Sequence, residues 1–151
     1  MSRACYLDAN VLVFFVNSSS LFHQEAVELL EYAVEQRFVL NISSLVIDEA
    51  VHAMKRTLAS SPRIGKNRAD GALKEALEMI LSLPDLTIVQ PPTSVAKNAK
   101  VIGLMKMYSL RARDAFHLLT MQEHHISYYA TFDSDFDAVF DQGTLKKVIR
   151  D

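Results

Sequence analysis

Short apolar runs alternate with longer segments of helical spacing along almost the whole chain, and this alternation restricts the fold more than any other feature. Residues 3–7 stop at Asp8, residues 38–42 at Ser43, residues 86–89 before Pro91 and Pro92, and residues 128–132 at Asp133. Residues 145–149 are a candidate fifth run. Their lengths and their β-branched or aromatic content favour strands. Between them, Ile47, Val51, Met54 and Leu58 recur at i, i+4, i+7 and i+11, a helical core stripe. Residues 22–34 turn Ala26, Leu29, Leu30 and Ala33 inward; Leu73, Leu77, Ile80 and Leu81 form a third helix and residues 95–107 a fourth. Asp114 opens a fifth, with Phe116, Leu118 and Leu119 among its apolar positions. Strands alternating with helices read as βαβ units. The expected fold is therefore α/β, three layers α/β/α around a central, mainly parallel sheet, in a single domain over residues 1–151. Ser60-Ser61-Pro62-Arg63-Ile64-Gly65 is the strongest loop signal and joins two helices.

The carboxylates fall where such a sheet does chemistry. Asp8 and Asp133 each follow a strand directly, and ligands of open α/β sheets bind outside the carboxyl ends of the strands. Asp114 lies at a helix start and Glu49 on the helix after residues 38–42, so all four acids fit on one edge of a doubly wound sheet. Two carboxylates ~5 Å apart repel by about 3 kcal/mol at an effective dielectric of ~20. A divalent cation would offset that cost, and oxygen-only ligands suit Mg2+ or Mn2+. Each acid also has a plainer reading. Asp8 and Asp114 are plausible helix N-caps. Asp133, Ser134 or Asp135 would cap a short helix over residues 136–140. Glu49, most simply a solvated helix residue, sits about 170° round the wheel from the Ile47 stripe at ~100° per residue, outside the main core, yet Val46 and Ala53 beside it make its face less polar than a pure surface.

Lys+Arg 16 against Asp+Glu 18 gives a formal charge of −2, so no global positive field announces a polyanion. The total hides local excesses. Residues 86–113 contain no acid but carry Lys97, Lys100, Lys106, Arg111 and Arg113; residues 50–69 carry Lys55, Arg56, Arg63, Lys66 and Arg68. Such residues are ordinary solvated helix faces in the plain reading. Arg111 and Arg113, which lead straight into Asp114, are the better candidates for contact with an anionic ligand. The single Cys5 excludes an intrachain disulfide and a cysteine zinc site, and it fits a reducing cytoplasm. The apolar run at 11–16 is too short to span a membrane, so a soluble cytoplasmic protein is expected. His23, His124 and His125 lack metal-ligand spacing. His52 and His117 lie three residues after Glu49 and Asp114 and share their faces, with packing or surface as the simpler assignment. Asp48 is assigned to the surface, and Tyr128 and Tyr129 to a strand.

Taken in order, the segments YLDANVLV (6–13), SLVIDEAV (44–51), LRARDAFH (110–117) and ATFDSDF (130–136) resemble the PIN-domain ribonucleases, with the closest look to the VapC-type toxins of toxin–antitoxin systems. The resemblance runs from Tyr6 to about Phe140. It implies that Asp8, Glu49, Asp114 and Asp133 are catalytic, metal-binding acids for Mg2+ (or Mn2+). Asn10 matches a small polar residue that supports the site by hydrogen bonds, and Asp135 a more variable auxiliary position. The implied activity is endonucleolytic hydrolysis of RNA by metal-activated water, leaving 5′-phosphate and 3′-hydroxyl ends, with no nucleophilic side chain. An antitoxin protein partner, a homodimer and an RNA substrate are implied too. The stretch between Glu49 and Asp114 carries a fuller helical hairpin than the shortest members need. Alternatives stay open: a non-toxin RNA-processing nuclease, or a catalytically silent PIN-fold protein that binds RNA or a partner. A phosphatase of the haloacid dehalogenase type would need a second aspartate where this chain has Asn10, and a receiver domain would need an acidic pair and a late lysine that do not appear.

Overall fold

A computed structural model describes residues 3–60 and 65–150. Strand β1 (Arg3–Leu7) leads into α1 (Ala9–Val16) and α2 (His23–Glu35); β2 (Phe38–Ser43) leads into the long helices α3 (Ser44–Ala59) and α4 (Lys66–Leu81). Then come β3 (Leu86–Val89), α5 (Val95–Asn98), α6 (Val101–Tyr108), α7 (Ala112–Glu123), β4 (Tyr128–Ala130), α8 (Asp137–Asp141) and β5 (Lys146–Lys147). The five strands form one sheet in the order β3-β2-β1-β4-β5, every pairing parallel. The expected α/β/α arrangement holds. Parallel strands need crossovers, the crossovers carry helices, and helices on both faces bury the central strands almost completely. Cys5, Tyr6, Leu7, Leu40 and Ile42 are accordingly inaccessible to solvent. Among the described residues no helix is long and apolar enough to cross a membrane.

The chain winds from β1 outward through β2 and β3, then returns to add β4 and β5 on the other side of β1. The winding direction therefore reverses between β1 and β4, where an open sheet leaves a crevice at its carboxyl edge. Register makes that crevice specific. Leu7 pairs with Ala130, and the Asp8 N–H donates to the Ala130 carbonyl at 3.0 Å, so Asp8 and Thr131 emerge from the sheet side by side.

Several local expectations shift. The buried face of α3 is Val46, Ala50 and Met54, one residue round from the predicted stripe, with Ile47, Val51 and Leu58 half-buried. The cause is tertiary: α3 packs against α1 and α4 as well as following the sheet, so two apolar flanks serve different neighbours. Residues 95–107 are not one helix. Asn98 turns its amide onto the carbonyls of Pro92 (2.8 Å) and Ser94 (2.9 Å), and the Lys100 N–H closes an i→i+3 turn on Lys97, so α5 stops before α6 starts. Strand β4 ends at Ala130, where the Asp133 N–H turns back onto the Thr131 hydroxyl and takes the chain out of the sheet. The fifth run shrinks to Lys146–Lys147, with Leu145 and Val148 as core anchors. The loop expected at 60–65 falls mainly on residues 61–64, outside the described residues; its flanking helices end at Ala59 and start at Lys66.

Helix α4 is held to the core chiefly through Ile80, which is fully buried, whereas Leu81 is 43% exposed despite its place in the predicted stripe. Ile80→Ala is expected to cost about 2–4 kcal/mol in denaturant unfolding, and Leu81→Ala less than about 1 kcal/mol.

Candidate active site

Asp8 continues β1 by one residue and serves as the N-cap of α1, as its plainer reading anticipated, and it also faces the crevice. Its carboxylate accepts the Thr131 hydroxyl at 2.6 Å and, at a longer 3.5 Å, the Asn10 N–H. Thr131 Oγ1 in turn accepts the Asp133 N–H at 3.1 Å, and Asn10 Nδ2 donates to Asp133 Oδ2 at 3.0 Å. Thr131 and Asn10 thus each link Asp8 to Asp133, Thr131 through the Asp8 carboxylate and the Asp133 N–H, Asn10 through its own N–H and its side-chain amide. No side chain caps α8, which starts after Phe136, so the capping role considered for Asp133, Ser134 and Asp135 is not filled.

The opposite wall comes from α3 and α7. Helix α6 ends where Ser109 takes a left-handed conformation (φ 54°) and the Leu110 N–H returns to the Met105 carbonyl at 3.1 Å. The chain then re-enters a helix at Arg111, whose backbone occupies the N-cap position. Asp114 is therefore in the first turn of α7 and not its cap, which corrects the capping reading; the helix dipole favours a carboxylate there. Glu49 is half-buried rather than fully solvated, since the core face of α3 is rotated toward it. Its Oε1 lies 2.5 Å from His117 Nε2 and 3.8 Å from Arg113 Nε.

One cleft collects Asp8, Asn10, Glu49, Asp114, Asp133 and Asp135 with Arg111 and Arg113, over a floor that includes Tyr129 and Phe136. All eight residues singled out from the sequence meet there. Of the other cations, Lys97 is paired with Glu123 at 2.6 Å, at the end of α7 away from Asp114, and Arg63 lies outside the described residues. His52 is exposed and pairs with Asp48, which is exposed as expected. Two residues that sequence reasoning underrated are Thr131 and His117. Thr131 carried one weak signal, a hydroxyl two residues before Asp133. His117 is buried, as its packing assignment requires, but both ring nitrogens are hydrogen-bonded.

Charge in the cleft is out of balance, with five carboxylates facing two guanidinium groups. Burial pushes the Asp8 carboxyl up from 3.8 to about 6; the Asp133 charge adds to the rise and the Thr131 hydroxyl opposes it. Asp114 is also raised, first by burial and then by the charge of Asp135, with His117 pulling the other way. An all-oxygen, anionic donor set of this kind fits a hard divalent cation. Among the described residues, no three Asp, Glu, His or Cys side chains close into a ligand cluster; the carboxylates line an open cleft.

Over residues 5–140 the chain matches the family model for the PIN domain, and it belongs to that family. It is 28% identical over 137 residues to ribonuclease VapC13 of Mycobacterium tuberculosis, spanning 87% of this chain and 92% of that protein. To ribonuclease VapC6 of Methanocaldococcus jannaschii it is 28% identical over 146 residues, spanning 89% and 91%. Among solved structures, VapC20 of Mycobacterium tuberculosis, a sarcin–ricin loop cleaving toxin, shares the fold with a TM-score of 0.65 at 17% identity, covering 89% of this chain and 94% of that one. A chain of the VapBC2 complex of Rickettsia felis, bound to a promoter DNA fragment, also gives 0.65, at 15% identity and coverages of 95% and 96%.

Because Asp8 holds its proton more tightly when folded than unfolded, its ionisation destabilises the fold. Stability from this group is present below about pH 4, is lost as pH rises to about 6, and is level above. Asp8→Asn, measured in EDTA, is expected to be more stable than the wild type at pH 7 by about 1–3 kcal/mol. The gap between the two should open across pH 4 to 6, as read by denaturant melts at a series of pH values.

Proposed function

We propose that this chain is a Mg2+- or Mn2+-dependent endoribonuclease and the toxin of a VapBC-type toxin–antitoxin pair. The observation that carries this reading is the single cleft at the sheet's switch point, in which five carboxylates and two arginines converge in a PIN-domain protein. Asp8, Glu49, Asp114 and Asp133 are the residues to hold the metal, with Asn10 and Asp135 as auxiliaries. When bound, such an ion lowers the pKa of a water and offsets charge building on the scissile phosphate.

The protein's own groups supply position and charge. Thr131 and Asn10 keep the Asp8 and Asp133 carboxylates turned into the cleft. Arg113 leans its Nε toward Glu49 while 61% of its side chain stays exposed, so its remaining N–H groups are available to a phosphate; Arg111 lines the same cleft. Cys5 offers no competing nucleophile, since it is buried and burial pushes its thiol up to about 12. The names of the relatives, all VapC ribonucleases, and the toxin–antitoxin complexes among the fold neighbours support an RNA substrate and an antitoxin partner. Val95, Ile102 and Met107 are exposed apolar residues that an antitoxin or a second copy in a homodimer would cover.

Purified protein is expected to cut a labelled structured RNA with Mg2+ or Mn2+, and to lose that cutting in EDTA and in Asp114→Asn. Cutting that survives both controls would mean a contaminating nuclease or a different site. A wild type that binds RNA and never cuts it, with either metal, would favour the catalytically silent alternative. Arg111→Ala and Arg113→Ala should each lower the salt slope of RNA binding by about one.

A further inference from the structure

A buried hydrogen-bonded chain runs behind Glu49. His117 is one turn along α7 from Asp114 and only 3% exposed. Its Nε2 meets Glu49 Oε1 at 2.5 Å, and its Nδ1 meets the Tyr6 hydroxyl at 2.8 Å. The Tyr6 hydroxyl is in turn 2.6 Å from Ser43 Oγ, and both residues are inaccessible to solvent. Tyr6 and His117 pack edge to face, with ring centroids 5.7 Å apart.

The direction of these bonds follows from the donors available. A carboxylate only accepts, so the His117 proton facing Glu49 is on Nε2. In the neutral ring Nδ1 then accepts the Tyr6 proton, and Tyr6 is left to accept from Ser43. Ser43 adds a second observation. It stands at the N-cap position of α3, where a serine hydroxyl ordinarily bonds the helix's own N–H groups, yet it makes no such bond and serves Tyr6 instead. Strands β1 and β2 and helix α7 thus commit a tyrosine, a cap serine and a histidine to one oxygen of one glutamate on α3. Among the described residues no buried side-chain nitrogen or oxygen lacks a partner, so the chain is fully satisfied and rigid.

We infer that His117 is a positioning residue: with Tyr6 and Ser43 behind it, it locks the Glu49 carboxylate in the orientation from which it binds the divalent cation. The inference rests on the metal-site reading proposed above. Glu49 needs such support because it projects from the second turn of a helix on a flexible side chain, whereas Asp8 and Asp133 are short and strapped by Thr131 and Asn10. Hydrogen-bond partners of metal-binding groups typically change metal affinity by about 10–100-fold when removed.

The test is Mn2+ binding to the full-length protein by calorimetry, with thermal melts alongside and without RNA. His117→Ala should weaken Mn2+ binding by roughly 10–100-fold. His117→Gln, whose amide nitrogen can stand where Nε2 stands, should stay near the wild type. Tyr6→Phe keeps the ring and removes only the hydroxyl, so it should weaken binding less than His117→Ala does. It also decides the matter if His117→Ala does not fold. Glu49→Gln and Asp133→Asn report on the site itself. If these two weaken binding while His117→Ala and Tyr6→Phe match the wild type, the positioning role is wrong and the metal site stands. An equal loss in His117→Gln and His117→Ala, with unchanged melting, also overturns the role. If Glu49→Gln and Asp133→Asn bind like the wild type, or the wild type binds no Mn2+, the metal-site reading fails and takes this inference with it. Nitrogen-15 NMR of the metal-free protein should find the His117 proton on Nε2; a pure Nδ1–H tautomer would refute the arrangement.

Discussion

The parallel pairing of β1 with β4 is the constraint on which the cleft depends. Residues Leu7 and Ala130 are far apart in sequence, and only their pairing, sealed by the Asp8 N–H on the Ala130 carbonyl, brings the ends of the two strands to one point. A slip of one residue would exchange inward and outward faces and carry Thr131 away from Asp8. The register is well defended. Cys5, Tyr6 and Leu7 are buried on both faces of the sheet, and Tyr129 packs against Tyr6 and Phe136. The same core that stabilises the fold therefore sets the spacing of the acids.

Around that point the protein spends stability on charge. Asp8 and Asp114 both resist ionisation, mainly because burial withholds water from them and then because neighbouring carboxylates repel. Hydrogen-bond partners hold the acids in place: Thr131 and Asn10 on one wall, His117 with Tyr6 and Ser43 on the other. Arg113 is the one cation drawn close to a cleft carboxylate among the described residues, and it stays mostly exposed. A pocket arranged this way keeps its negative field for a cation and leaves its arginines for a polyanion.

Most of the site was legible because its residues are tied to element ends. Asp8 and Asp133 stand just past apolar runs, and Asp114 just inside a helix start, so their positions follow from boundaries the hydrophobic pattern marks. Glu49 was harder. From the Ile47, Val51, Met54 and Leu58 stripe it looked solvated, but α3 is wedged among α1, α4 and the sheet, and its most buried face is Val46, Ala50 and Met54. A helix with two apolar flanks has no single stripe to read. His117 shows the same limit more sharply. Its i+3 relation to Asp114 was visible, but its partners Tyr6 and Glu49 come from other elements, and no local pattern encodes them.

The amino-acid sequence by itself determined the alternation of strands and helices, the absence of cysteine-based staples, and an ordered set of acids in segments that resemble the PIN domain. Those are local properties, set by side-chain period, backbone preference and residue type. Tertiary structure alone decided which way α3 turns, and how Thr131, Asn10 and the Ser43–Tyr6–His117 chain orient the carboxylates. Each of those depends on a hydrogen bond or a packing face shared between segments distant in the chain. Such contacts strengthen where the folded core withholds water from them.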